Sequence, residues 1–453
     1  MITTSILASL LFGAAPWSGQ TATDEQGVLH QPSVPLDARV SKSKVTEQDP
    51  PQAMGAISQP LPAIHRISTA ATEVPCSAES WKRARHAIDL GLAHLRRAQD
   101  ESGGWMVQKA ALGTDQQQPS RAASTAVTAL ALKAFVQSGA TPSTDPAAKN
   151  ALALVRARVR GADGFFNPDP AGGLGNYVAS AVVSSLAAVD DPSDRPLLEE
   201  SVTWLKKTQW DQSEGVSPRM DWFGGSGYGK WGRPDLSNTQ MMLDALHDAQ
   251  VSVDDPAVQR ALVFLTRTQN LPKSNPVAWA ESGSQDGGFI YSPANGGESF
   301  ASDAAGEGRF GETMPVGQPR SLRSYGSMTY AGFKSLLYAG LTKDDPRVVA
   351  AFNWIRRHFT FEENPGLGQQ GYYYFVHAIA RAMLASGQVT VVDGKGVGHH
   401  WRDELIAALV ARQKSDGSWV NGVSRWEEGD ADLCTVYSLL ALEEAIKPTT
   451  ALP

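Results

Sequence analysis

STAVTALALKAFVQSG, residues 124–139, carries one charge in sixteen positions. A helix that is apolar on nearly every face must be buried on nearly every face. Upstream of it, Trp81, Ala84, Ile88, Leu92 and Leu95 recur three or four apart, which places them on one helical face. Arg83, Arg85, Arg96 and Arg97 fall off that stripe and face water. A Gly-rich turn, QDESGGW (99–105), joins the two helices. Ser124 or Thr125 is placed to cap the second helix, and Gly139 to end it. Asp145-Pro146 then opens another helix, since proline suits a first turn that needs no amide donor. One hairpin therefore pairs an amphipathic outer helix with an apolar inner one.

The unit recurs. Ala147 to Arg160 leads to GADGFF and YVASAVVSSLAAV, and Leu197 to Gln209 leads to LSNTQMMLDALHDA. Ala257 to Gln269 leads, after an insertion at 271–323, to QDGGF (285–289) and SMTYAGFKSLLYAG. Arg347 to Phe359 leads to YYYFVHAIARAMLASG, and Trp401 to Gln413 leads to KSDGSW and DLCTVYSLLALEEA. That makes six hairpins over residues 76–447. An open solenoid needs polar caps on its end repeats. The first and last units look like the middle ones, so a closed ring is expected: an all-α (α/α)6 toroid around an apolar central cavity.

Outside the repeat, the start MITTSILASLLFGAAPWSG has an apolar stretch at Ile6 to Ala15 and reads as an export signal over 1–22, implying a periplasmic or extracellular location. No Lys or Arg precedes that stretch, so a mildly apolar disordered start is the competing reading. Residues 23–75, rich in Gln, Ser, Thr and Pro, read as a disordered linker, because they bury too little to offset ordering entropy. No apolar run is long enough to span a bilayer. A formal charge of −7 and a pI near 5.8 argue against a nucleic-acid partner. Cys76 and Cys434 flank the ring and are open to a disulfide clasp or to two free thiols.

QDESGGW (99–105) and QKSDGSW (413–419) resemble the QW motif of squalene and other triterpene cyclases. QDGGF at Gln285 resembles the matching turn of protein prenyltransferase β subunits. The resemblance covers roughly residues 80–447 and implies a six-hairpin toroid, in agreement with the count above. It also implies an apolar, isoprenoid-like ligand and, if the protein is an enzyme, terpene cyclase/mutase-like isomerase chemistry without a cofactor. The family's DxDD acid motif is absent. DADLCT (430–435) is the nearest match, with Asp432 in the acid's place and Asp430 beside it. A helix cap is the competing role for both.

The prenyltransferase branch implies a zinc set of Asp, Cys and His. Asp432, Cys434 and His377 supply those types, although His377 lies a turn inside its helix. Arg309, Arg320 and Arg323 are an arginine cluster suited either to a diphosphate or to a solvated loop. Trp222, Tyr228, Trp231, Tyr325, Tyr330, Tyr372, Tyr373 and Tyr374 sit at the starts of inner helices or in the turns before them. There they either line an aromatic ligand cavity with His377 or plug the ring's centre. His399 and His400, adjacent in a loop, read as surface residues. Three functional readings remain: a terpenoid-cyclase-like protein with an apolar ligand, a non-catalytic toroid with a protein partner, and a zinc-dependent prenyltransferase relative.

Overall fold

The computed structural model describes residues 75–110, 117–169, 173–229, 232–301 and 322–448. The export signal, nearly all of the linker, Trp231, Arg309 and Arg320 lie outside the described residues. The outer helices are α1 (Ala78–Ala98), α3 (Pro146–Arg158), α5 (Arg195–Lys207), α7 (Pro256–Thr268), α10 (Pro346–Arg357) and α12 (Trp401–Arg412). The inner ones are α2 (Arg121–Gln137), α4 (Gly175–Val189), α6 (Leu236–Asp248), α9 (Gly326–Tyr338), α11 (Tyr372–Ser386) and α13 (Ala431–Ile446). A single-turn helix, α8 (Trp279–Ser282), sits in the 271–323 insertion.

Inner helices pack in the order α2, α4, α6, α9, α11 and α13, and α13 packs back on α2. The outer helix α1 packs on α12 and α13. The ring is closed, as the matching end repeats require. Inner helices are buried continuously through their middles; every residue from Ala123 to Phe135 in α2 is an example. Outer helices bury one stripe, as α1 does with Ala84, Ile88, Leu92 and Leu95. Trp81 departs from the expected stripe and is 43% exposed, because it lies in the first turn, at the edge of the packed face.

Helix boundaries follow local capping chemistry. Asp145, Asp255 and Asp345 each accept an amide of the helix they open. Ser120, rather than Ser124 or Thr125, caps α2 through the amide of Ala123. Ser124 instead accepts the amide of Val107 from the preceding turn.

One side chain joins neighbouring hairpins. The amide of Gln99 donates to Gly103 O in its own turn and to Ala147 O in the next outer helix, at 3.0 and 2.9 Å. Gln209 does the same to Gly224 and Ala257, and Gln269 to Gly287 and Arg347. Gln413 donates to Gly417 and to Ala87 of α1, so the same device that links successive hairpins closes the ring. Arg160 takes the position in hairpin two, reaching Gly164 O and Glu200 of α5.

In hairpin four the bridging residue is Gln269, not the Gln285 of QDGGF, which donates to Glu281 O instead. The insertion separates glutamine and turn in sequence but not in space. Glycine is required at three of these turns for two reasons. Gly224, Gly287 and Gly417 have φ of 83°, 86° and 86°, and a Cβ on any of them would collide with a backbone carbonyl of the next outer helix.

Candidate functional site

The heads of the inner helices gather aromatic and acidic groups at one end of the ring. Asp235 caps α6: its carboxylate accepts the backbone amide of Asn238 at 2.8 Å and its side-chain amide at 2.9 Å. It is fully buried, and the Arg233 guanidinium stands 3.9 Å away. Burial pushes its carboxyl up to about 6, against the pull of Arg233 and the hydrogen bonds from Asn238 and Tyr291. Arg233 is itself paired with Glu298 and lies over the ring of Tyr291 at 5.3 Å.

Around this acid, Tyr177 packs against Tyr228 and Tyr291 against Phe300, with centroids 5.6 and 4.6 Å apart. The Tyr228 and Tyr291 hydroxyls are hydrogen-bonded at 2.9 Å. Tyr325 and Trp426 complete the shell against Phe300.

A second buried acid sits at the head of α11. That helix begins at Gly371, which offers no side-chain cap. Glu428, from the loop before α13, supplies one by accepting the Tyr374 amide at 2.9 Å. Its other oxygen accepts Asn421 Nδ2 at 2.6 Å. Burial pushes Glu428 up to about 7, with the amides of α11 acting in the opposite direction.

From these heads a polar ladder runs down the axis along one face of α6: Ser237, Gln240, Asp244 and Asp248, spaced three or four apart. Tyr177 donates to Ser237 at 2.6 Å, and Ser237 and Tyr374 share a hydrogen bond of 2.9 Å. Gln240 donates to Tyr374 and accepts from Lys334 of α9, which also binds Asp244 at 2.6 Å. Arg381 of α11 and Lys133 of α2 meet Asp248 at 2.8 and 2.5 Å. Lys133 and Asp248 lie on helices separated by α4, so this pair reaches past one inner helix. Burial lowers the Lys334 ammonium to about 8.

The axis is therefore not the uniformly greasy hollow expected from the sequence. Buried ion pairs occupy the later turns of α2 and α6. Earlier turns of the same helices help line a void, with Val127, Leu130, Tyr177, Met241, Leu433 and Tyr437 around a volume near 20 Å³, about the room of one water.

The anticipated residues sort as follows. Tyr374 faces the axis, while Tyr372 donates to Phe361 O beneath the Arg412 guanidinium and Tyr373 points to Val420 O. Consecutive helical residues project 100° apart, so three adjacent tyrosines cannot share one wall. Tyr228 and Tyr325 join the shell. Tyr330 is buried edge-on against Phe375, away from that shell. Trp222 stacks edge-on with Trp210 in the outer turn of hairpin three.

His377 stacks on Tyr437 at 5.5 Å, and burial beside Arg381, Lys334 and Lys133 holds it neutral, far below the ordinary histidine range. Asp430 caps α13 through the Leu433 amide, and Asp432 pairs with His94 of α1 at 2.9 Å. α13 contributes Leu433 and Tyr437, not these two acids, to the axial void. Among the described residues no group of three or more His, Cys, Asp or Glu side chains is arranged to hold a metal, so Asp432, Cys434 and His377 do not form a ligand set.

Both cysteines are buried and free. Cys434 donates to Glu428 O, and Cys76 lies by Asp403 and Arg402, so ring closure does not bring the two together. His399, half-buried between Asp393 and Glu404, lies tilted against Phe359 with ring centroids 5.0 Å apart. Asp235, Glu428, Tyr177, Tyr291 and the axial ions were not anticipated. Their available signal was the scarcity of charge itself: an isolated Lys133, Lys334 or Arg381 in an otherwise apolar inner helix needs a partner across the ring.

No family model matches the chain, and no curated relative matches it. Solved structures do. A D-mannose isomerase is 11% identical, with 81% of this chain and 97% of that one covered and a TM-score of 0.52. The type II terpene cyclase MstE from Scytonema, in complex with geranylgeranyl dihydroxybenzoate, is 13% identical, with 82% and 99% covered and a TM-score of 0.50. At these identities the likeness establishes the fold. This chain is an α/α toroid of the architecture used by a terpenoid cyclase, and equally by a sugar isomerase.

Proposed function

We propose that this toroid binds an apolar, isoprenoid-like ligand at the head end of its inner helices. The observation that carries this reading is a buried carboxyl, Asp235, set within a shell of Tyr177, Tyr228, Tyr291 and Phe300. Aromatic faces suit an apolar chain and shield positive charge on it. A carboxyl whose proton is held to about pH 6 is a competent proton donor. The ligand of the terpene cyclase neighbour, geranylgeranyl dihydroxybenzoate, is of the same chemical class. In this reading Asp235 donates the proton, Arg233 and Asn238 orient the carboxyl, and the aromatic shell excludes water.

The test is mass spectrometry of organic extracts of the purified chain, with tryptophan fluorescence during titration with all-trans geranylgeraniol. Co-purified isoprenoid or saturable quenching is expected. Asp235→Asn should retain binding while abolishing any product. Clean extracts together with an unresponsive fluorescence signal would sink the reading. A second reading, a non-catalytic toroid acting as a protein-binding scaffold, is favoured by the 20 Å³ axial void, which is too small for a prenyl chain unless side chains move. That outcome is expected if both assays are negative.

A further inference from the structure

The side-chain amide that faces Asp235 is itself held by a residue on a different helix. Asn176 sits in the first turn of α4 and is 1% exposed. A first-turn asparagine ordinarily serves its own backbone, yet the head of α4 has no side-chain cap. Asn176 turns instead to α6, where its Nδ2 donates to Asn238 O at 2.9 Å and to Asn238 Oδ1 at 3.1 Å. Asn238 Nδ2 in turn donates to Asp235 Oδ2 at 2.9 Å. All three side chains are buried.

The direction of this chain is fixed from its far end. A backbone carbonyl only accepts, so Asn238 O dictates which end of the Asn176 amide faces α6. The Asn176 nitrogen then turns Asn238 Oδ1 toward itself and leaves Asn238 Nδ2 for the carboxyl of Asp235. Without Asn176, the Asn238 amide is free to rotate and to present an acceptor to Asp235 in place of a donor. The arrangement leaves Asn176 Oδ1 buried with no hydrogen-bond partner among the described residues. A buried, unpaired acceptor is disfavoured. Packing alone therefore does not account for an asparagine here, since a leucine would fill similar space without that penalty.

We propose that Asn176 is a positioning residue for the head-end carboxyl, acting through Asn238 to hold an amide donor against Asp235. This rests on the reading of Asp235 as the proton donor. A donor stabilises the carboxylate and an acceptor stabilises the acid, so Asn176 keeps Asp235 a stronger acid than its burial alone would make it. The groups facing the carboxyl leave this effect readable. Arg233, paired with Glu298, is the cation beside it. The phenols of Tyr177 on α4, Tyr228, Tyr291, Tyr325 at the head of α9 and Tyr374 on α11 are pushed up by burial, so they stay protonated while Asp235 titrates near 6.

NMR of the full chain with isotope-labelled aspartate and asparagine tests this without a ligand, the Asp235 signal being assigned by its loss in Asp235→Asn. In wild type the side-chain amide signals of Asn238 and Asn176 should both follow the Asp235 transition. Asn176→Leu should raise the Asp235 midpoint by roughly one pH unit, the scale of one hydrogen bond to a charged group. Asn238→Leu should raise it likewise, and adding Asn176→Leu to that variant should raise it no further. The inference is overturned if the midpoint ignores Asn176→Leu or, should that variant fail to fold, if the wild-type Asn176 amide stays silent through the transition. A carboxyl that does not titrate in this range overturns the donor reading as well, whereas a titration indifferent to Asn176 leaves that reading intact.

Discussion

At the scale of single residues, the bridging glutamines link the repeat to its geometry. Gln209 and Gln269 are buried, and each satisfies one carbonyl in its own turn and one in the next helix. Gln269→Ala removes the donor to the Gly287 carbonyl and a second donor from the helical Arg347 carbonyl, and should cost about 1–3 kcal/mol in urea unfolding. Gln285→Ala, in the motif-like QDGGF, should be near neutral because Gln285 donates only to the exposed Glu281 carbonyl.

Asp235 makes a separate prediction at the same scale. Its folded carboxyl titrates near 6 against an unfolded value near 3.8, so the native state holds a proton over that window that the unfolded state has lost. Stability contributed by this group therefore falls as pH rises from about 4 to about 6. Asp235→Asn retains a cap and should flatten that slope, removing up to about 3 kcal/mol of pH dependence. An unchanged slope would show that Asp235 is ionised throughout.

At the scale of elements, most boundaries were legible because they are written locally. Asp-Pro pairs, the 3.6-residue stripes and the near absence of charge in the inner helices place all twelve long helices. The ladder on α6 was not legible. Ser237, Gln240, Asp244 and Asp248 share a face on any helical projection, but their partners Lys133, Lys334, Tyr374 and Arg381 lie 90 to 137 positions away in sequence and meet only once the ring closes.

The three tyrosines at 372–374 failed as a wall for the converse reason, since adjacency in sequence divides them around the helix. The ladder predicts strong coupling. Lys334→Met leaves the buried Asp244 without its shortest ion pair and should destabilise by about 3–5 kcal/mol. Lys334→Met with Asp244→Leu should recover much of that loss. Equal destabilisation by the single and double variants in chemical denaturation would argue that the pair is not a unit.

At the scale of the molecule, the candidate site depends on a closed ring, because Asp235, Tyr374 and Glu428 come from hairpins three, five and six. The ends of the repeat meet through Gln413 and Ala87, and through the left-handed Gly417 pressed on the Leu90 carbonyl. The all-α toroid was readable from the repeat, and solved structures share it. How the axis is filled was not readable, because filling is a property of six inner helices at once and no single hairpin encodes it. The most direct test is site-specific photocrosslinking: benzoylphenylalanine in place of Leu90, irradiation of the monomeric protein, and mass spectrometry of the crosslinked peptides. A closed ring predicts intramolecular crosslinks from α1 to residues 414–419. Crosslinks confined to hairpins one and two would contradict closure, and with it the site assembled across the ring.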